Sequence, residues 1–142
     1  MQEKLLNLLL VEDDEVDVMN VKRAFIKNNI TNPLYVASDG IEALKMLRGQ
    51  NETLNVPKQR RIILLDLNMP KMSGLEFLEA LRADSDLKSI PVVILTTSDE
   101  DRDRVKAYNL NVAGYLLKPV NSTQFAETIA TLNKYWMLCE IP

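Results

Sequence analysis

Residues 62–70 read IILLDLNMP, so that four aliphatic side chains lead directly into Asp66 and then into a turn at Pro70. An apolar run of this length, bounded by Arg60 and Arg61, is typical of a strand buried on both faces, as in a parallel sheet. In open α/β sheets the ligand crevice lies outside the carboxyl ends of the strands, which would place Asp66 there. Taken alone, Asp66 could equally do no more than turn the chain, because aspartate is common where strands end.

The sequence on both sides of this stretch alternates between strand and helix patterns. Strands are predicted over 5–11, 34–37, 62–65, 90–98 and 112–117, and helices over 14–28, 38–49, 72–84, 99–108 and 122–136. This alternation predicts an α/β protein, in which a doubly wound, wholly parallel five-stranded sheet carries five helices on its two faces. Within the second helix, Ile41, Leu44 and Leu47 are predicted to share one face. The polar segment 50–61 is predicted to be a loop, and its length is more simply a tolerated insertion than a partner contact.

The composition of the 142-residue chain is that of one globular domain, with 46% apolar and 26% charged residues. No apolar run is long enough to span a membrane and no signal-peptide pattern opens the sequence, so a cytoplasmic protein is expected. The net charge of −3 and the scattered basic residues disfavour direct binding of nucleic acid. The single cysteine, Cys139, allows no internal disulfide, and the absence of histidine excludes histidine-based catalysis and the usual zinc sites.

Reactive side chains stand at the carboxyl ends of four predicted strands, where a doubly wound sheet would bring them into one crevice. They are Glu12 with Asp13, Asp66, Thr96 and Lys118. Grouped carboxylates raise each other's pKa unless a cation compensates, so the acids predict a metal, and oxygen ligands suit Mg²⁺. A hydroxyl and a lysine can both bind phosphoryl oxygens. The available covalent chemistry is therefore an aspartyl phosphate, with Asp66 as the candidate nucleophile.

Four motifs carry a resemblance to a known family: LLLVEDD (8–14), ILLDLNMPKMSG (63–74), IPVVILTTS (90–98) and GYLLKP (114–119). On these motifs the chain resembles a receiver domain of the two-component response regulators, over nearly its whole length. The resemblance implies a flavodoxin-like sheet with strand order 2-1-3-4-5. It also implies a single receiver domain over 1–142, with an extended loop at 50–61 and a short tail after about 136.

The resemblance also implies how the acids act. Glu12 and Asp13 would hold Mg²⁺ together with Asp66, and the backbone carbonyl of Asn68 would supply a further ligand. Asp66 would accept a phosphoryl group from a histidine kinase.

Further residues receive roles from the same resemblance. Thr96 and Lys118 would contact the phosphoryl oxygens, and Tyr115 would swing inward with Thr96 as the switch residue. Asn68 and Ser98 match positions that tune hydrolysis of the acyl phosphate. The peptide bond between Lys118 and Pro119 is expected to be cis.

The long loop and the Tyr135-Trp136 ending most resemble the small single-domain regulators that partner bacterial phytochromes. The receiver resemblance as a whole implies a phosphorylation-dependent interaction protein, and the large aromatic Trp136 near the end of the chain favours a homodimer in the active state. Its partner face would combine the helices over 99–108 and 122–136 with the fifth strand. Its only catalysis would be its own phosphorylation and dephosphorylation. Two alternatives stay open: a pseudo-receiver that binds partners without phosphorylation, and a small aspartyl-phosphate phosphatase, although such enzymes usually carry a second Asp where this chain has Asn68.

Overall fold

A computed structural model describes residues 5–67, 69, 72–96, 105, 109–117 and 122–137. The strands are β1 (Asn7–Val11), β2 (Leu34–Ala37), β3 (Arg61–Asp66), β4 (Val92–Thr96) and β5 (Gly114–Leu117). They form one parallel sheet in the order β2-β1-β3-β4-β5, as expected. The helices are α1 (Glu15–Lys27), α2 (Gly40–Leu47), α3 (Gly74–Ala83) and α4 (Ser122–Met137).

The core consists of two apolar clusters, one on each face of the sheet. Successive strand residues point to opposite faces, so in β3 Ile63 and Leu65 join one cluster while Ile62 and Leu64 join the other. The first cluster packs against α2 and α3, for example through Phe77. The second contains residues of α1 and α4. Helices on both faces explain why β3 is apolar on both of its sides.

Three helices begin directly beyond the carboxyl edge of the sheet, each at a side-chain cap. Asp14 accepts hydrogen bonds from the backbone N–H groups of Val16 and Asp17, and Asp39 caps α2 in the same way. Ser73 caps α3 in a capping box with Glu76. Each cap stabilises a helix by about 1 kcal/mol. The caps therefore determine where the chain turns from strand to helix beside the crevice.

The structure corrects several predicted details. Ile41 is exposed, so the predicted face is wrong at that position, and α2 instead buries Ala43 and Met46 beside Leu44 and Leu47. The strand predicted from 90 begins at Val92, because the N–H of Ile90 donates to the carbonyl of Leu87 in a turn and the next residue is proline. The last strand begins at Gly114 rather than at 112.

Most of the predicted helix over 99–108 lies outside the described residues. The peptide bond between Lys118 and Pro119 also lies outside them. Val105 is described, and it is helical and buried. Among the described residues no helix combines the length and hydropathy that a membrane crossing requires.

The segment 50–61 is ordered by its own side chains. The Asn51 side chain accepts hydrogen bonds from the backbone N–H groups of Thr53 and Leu54. Val56 is buried, and its N–H donates to the carbonyl of Met46 at 3.2 Å. The loop therefore packs onto the end of α2, and its last residue, Arg61, enters β3 instead of marking its boundary.

Candidate metal centre

Three carboxylates meet at the carboxyl edge of the sheet. Carboxylate oxygens of Glu12, Asp13 and Asp66 all lie within 4.8 Å of one another. Glu12 and Asp66 are buried, with 1% and 5% of their surfaces exposed, whereas Asp13 is exposed. The group is thus open to solvent on one side.

The sheet register explains why residues so distant in the chain come together. Val11 pairs with Leu65 on the neighbouring strand, so the residues that follow each of them, Glu12 and Asp66, stand side by side. The N–H of Glu12 donates to the carbonyl of Ala37 at 3.0 Å, which extends the hydrogen bonding with β2 by one residue. Glu12 is therefore held by strand geometry rather than by a loop.

The three acidic residues at 12–14 have different structural roles. Asp14 is the N-cap of α1 and does not belong to the carboxylate group. Its N–H donates to Oε1 of Glu12 at 3.2 Å, which orients the Glu12 side chain. The structure therefore assigns the start of α1 to Asp14 and leaves Glu12 and Asp13 in the carboxylate group.

Three negative charges this close repel each other. For the two buried carboxylates, Glu12 and Asp66, a separation of at most 4.8 Å with an effective dielectric of about 20 gives a repulsion of at least about 3.5 kcal/mol when both are ionised. A bound divalent cation would offset that repulsion, and an all-oxygen set of carboxylates suits hard cations such as Mg²⁺, Mn²⁺ or Ca²⁺. The three residues therefore form a group that could hold a divalent metal ion.

The other predicted site residues are only partly visible. The backbone of Thr96 ends β4, and it pairs with Leu117 on β5, but its side chain lies outside the described part of the structure. Tyr115 is half-buried, lies opposite Ile94, and packs against the cluster that covers α2 and α3. Three further residues with predicted roles, Asn68, Ser98 and Lys118, fall outside the described residues.

Sequence reasoning missed two features of the strand that carries Asp66. At the carboxyl end of the strand, Gly74 lies against the backbone of Asp66 and Leu67. The MSG motif at 72–74 is only a weak sequence indication of this contact. At the amino end of the strand, Arg61 is buried and reaches a cavity of about 570 Å³, which Arg48, Lys58 and Asp84 also line. This cavity lies at the opposite edge of the sheet from the carboxylates.

Comparisons with known proteins agree with this geometry. The protein-family model described as the response regulator receiver domain matches residues 8–130 of this chain. The response regulator Rcp1 of Synechocystis sp. is 37% identical over 130 residues, which cover 92% of this chain and 88% of Rcp1.

Solved structures give the same result. The bacteriophytochrome response regulator RtBRR is 41% identical with a TM-score of 0.76, over 91% of this chain and 78% of that one. The phosphorylated cyanobacterial phytochrome response regulator RcpA is 32% identical with a TM-score of 0.75, over 98% of this chain and 99% of that one. The Mn²⁺-bound form of Rcp1 is 34% identical with a TM-score of 0.72, over 96% of this chain and 99% of that one. On its fold, its motifs and these matches, the chain belongs to the receiver domain family of response regulators.

Proposed function

We propose that this receiver domain accepts a phosphoryl group on Asp66 from a histidine kinase, in a reaction that requires Mg²⁺. The observation that carries the proposal is the grouping of Glu12, Asp13 and Asp66 within 4.8 Å at the carboxyl edge of the sheet. Such a group is costly without a cation and suited to one with it. The relatives support both parts of the proposal, since one was solved with Mn²⁺ and another in phosphorylated form.

The proposed metal ligands are the carboxylates of Glu12, Asp13 and Asp66 and the backbone carbonyl of Asn68. When bound, Mg²⁺ supplies positive charge that screens the carboxylates from the incoming phosphoryl oxygens. A carboxylate oxygen of Asp66 attacks phosphorus. The bond between phosphorus and the kinase imidazole nitrogen breaks, and its electron pair stays on that nitrogen.

The remaining site residues act on the product. Thr96 and Lys118 contact the phosphoryl oxygens, while Asn68 and Ser98 tune how fast water removes the group. Tyr115 turns inward together with Thr96, which its half-buried position on β5 would permit. We propose no other catalytic activity for the chain.

The proposed output is a change in the face that contains β5, α4 and the segment 99–108. Residues 1–142 would act as a single stand-alone receiver domain, cytoplasmic and homodimeric when active, with no direct contact to nucleic acid or membrane. RtBRR and RcpA are regulators of a bacteriophytochrome and of a cyanobacterial phytochrome. A bacterial phytochrome with histidine kinase activity is therefore the proposed phosphodonor.

Intact-mass spectrometry tests the proposal. The wild type, Asp66→Asn and Asp14→Asn are incubated with Mg²⁺ and acetyl phosphate, with and without a chelator. We expect one phosphoryl adduct on the wild type, none on Asp66→Asn, and none for any variant when the chelator is present. Asp14→Asn is the matched control, since asparagine caps a helix as well as aspartate does and Asp14 lies outside the carboxylate group. It should be labelled like the wild type.

An adduct that persists on Asp66→Asn would show that another residue is the acceptor. A wild type that stays unlabelled, under conditions that label another receiver domain, would favour a module that binds its partners without phosphorylation.

A further inference from the structure

The first residue of α3 lies against the backbone of the strand that carries Asp66. A Cβ atom placed on Gly74 would lie 2.6 Å from the carbonyl oxygen of Asp66 and closer still to the Cα of Leu67. The N–H of Gly74 also donates to the carbonyl of Leu67 at 3.0 Å. Both neighbours are main-chain atoms, which cannot turn aside as a side chain can. Any side chain at position 74 must therefore push the main chain at 66–67 away from α3.

Glycine is required here for space and not for its dihedral freedom. Among the described residues, Gly49 is the glycine with a positive φ, and Gly74 begins a regular helix. Alanine at that position would by itself favour the helix by up to about 1 kcal/mol. Helix propensity alone would therefore favour alanine at position 74. The close contact with the main chain of Asp66 and Leu67 is what favours glycine.

Gly40 provides an internal comparison. It too is the first residue of a helix and follows an N-cap residue. A Cβ on Gly40 would lie 2.8 Å from Sδ of Met72 and 3.0 Å from Cβ of Phe77. The nearer obstacle is the end of a flexible side chain, which can take another rotamer. Alanine at 40 should therefore leave the carboxylate group in place, whereas alanine at 74 should displace it.

We infer that Gly74 is a positioning residue of the metal centre, acting through the main chain of Asp66 and Leu67 to set where the Asp66 carboxylate stands relative to Glu12. The inference rests on the metal centre proposed above. A shift at 66–67 would move the Asp66 carboxylate, one of the proposed ligands, away from its place beside Glu12.

Cations differ in how much they tolerate such a shift. Mg²⁺ demands near-ideal octahedral geometry at about 2.0–2.1 Å, whereas Ca²⁺ accepts six to eight ligands at about 2.3–2.6 Å in flexible arrangements. A displaced Asp66 should therefore weaken Mg²⁺ binding more than Ca²⁺ binding. By this inference Gly74 preserves the preference of the site for a small octahedral cation.

The test measures binding of Mg²⁺ alone and of Ca²⁺ alone by amide chemical-shift titration, without any phosphodonor. Gly74→Ala should lose about tenfold in Mg²⁺ affinity and less than about threefold in Ca²⁺ affinity, because only Mg²⁺ requires the narrow geometry. Gly40→Ala should match the wild type with both ions. Leu81→Ala, at a wholly buried position of the same helix away from the site, controls for loss of stability without displacement of Asp66.

The outcomes separate this inference from the proposed function. A wild type that binds neither cation would refute the metal centre itself. Equal losses for Mg²⁺ and Ca²⁺, or a loss in Leu81→Ala as large as that in Gly74→Ala, would show that position 74 acts only through stability and would overturn the inference. If Gly74→Ala is unfolded in buffer, all variants are titrated in trimethylamine N-oxide, which favours the folded state. Failure of Gly74→Ala to fold even then, while Leu81→Ala folds, would also overturn the inference.

Discussion

The strand β3 begins with the buried cation Arg61 and ends with the buried anion Asp66. The two ends of the strand differ in the groups that surround these charges. Arg61 and Asp66 are 6% and 5% exposed. At the amino edge, Nη1 of Arg61 donates to the carbonyl of Leu47 at 3.0 Å, at the C-terminus of α2, where the helix dipole favours a cation. At the carboxyl edge, Asp66 meets two further carboxylates. At the amino edge, backbone atoms of the chain itself offset the positive charge. At the carboxyl edge, three carboxylates lie close together in a group that could hold a divalent cation.

Other contacts at the amino edge follow the same rule. Arg82 of α3 donates to the carbonyls of Lys88, Ile90 and Asn111, just before β4 and β5 begin. Arg48 forms an ion pair with Asp84 at 3.2 Å. Burial lowers the pKa of Arg61 and of Arg82, yet an arginine side chain stays protonated in proteins. This edge is therefore a structural framework, and the next experiments test whether the two edges are independent.

The largest effect is expected from Arg82→Met, which removes the donors to three backbone carbonyls at once. The free energy of unfolding should fall by about 2–3 kcal/mol, because three carbonyls lose a charged partner and the contact with the carbonyl of Ile90 is partly buried. Urea denaturation measures the loss. Arg23→Met, at an exposed position of α1, is the control and should stay within about 0.5 kcal/mol of the wild type. Mg²⁺ affinity should not change in either variant, and a change with Arg82→Met would show that the edges are coupled.

The next effect is that of Arg61→Met, which leaves the carbonyl of Leu47 without its donor. The expected loss is about 1–2 kcal/mol, smaller than for Arg82 because the substitution also removes a buried Nε that has no hydrogen-bond partner among the described residues. Thermal and urea denaturation are compared with those of Lys58→Met, an exposed residue that lines the same cavity. If Lys58→Met destabilises the fold as much as Arg61→Met, the assigned role of Arg61 is wrong.

At the carboxyl edge, Asp13→Asn should affect Mg²⁺ affinity and the stability of the metal-free protein differently. Mg²⁺ affinity should fall about tenfold, or about 1.4 kcal/mol of binding free energy, because one of the three proposed charged ligands is lost. The metal-free protein should be no less stable than the wild type, since a repulsive charge has been removed. Calorimetric titration and thermal melts without metal measure both quantities. Glu15→Gln, which removes a charge from the nearby first turn of α1, should retain the affinity of the wild type.

The smallest effect is expected from Asp84→Asn. The pKa of Asp84 is lowered; the hydrogen bond from the backbone N–H of Asp86 is the largest cause, burial opposes it, and Arg48 lowers the pKa further. A carboxyl group whose pKa is lower in the folded state stabilises the fold above its unfolded pKa, and this contribution is lost as the pH falls through the folded pKa. The difference in urea midpoint between the wild type and Asp84→Asn should therefore be larger at about pH 6 than at about pH 3. Asp86→Asn keeps the backbone donor, so a pH-dependent difference of the same size in that variant would contradict the assignment.

Much of the fold could be predicted because it depends on neighbours in the sequence. The apolar run before Asp66 indicated a strand buried on both faces, and β3 is wholly buried. The helix predicted over 38–49 corresponds to α2, which begins after its N-cap Asp39, and Gly49 adopts a positive φ just beyond its last turn. The sheet order followed from the family resemblance and is confirmed.

Other features could not be predicted because they arise where distant segments pack. Arg61 and Ile41 carried local signals for a strand boundary and a buried face, yet the packing of α2 buries the first and exposes the second. The division of the acids between Asp14 and the carboxylate group depends on where α1 begins. The roles given by resemblance to Asn68, Thr96, Ser98, Tyr115 and Lys118 stay predictions.

The sequence by itself determined the alternation of strands and helices and placed acids after two of the strands, because hydrophobic periodicity and capping act over a few residues. Only the tertiary structure decided that Glu12, Asp13 and Asp66 lie within 4.8 Å and that Gly74 rests on the backbone of Asp66. These distances depend on sheet register and on how closely α3 approaches β3. Both are set by the packing of segments far apart in the chain, which no local pattern records.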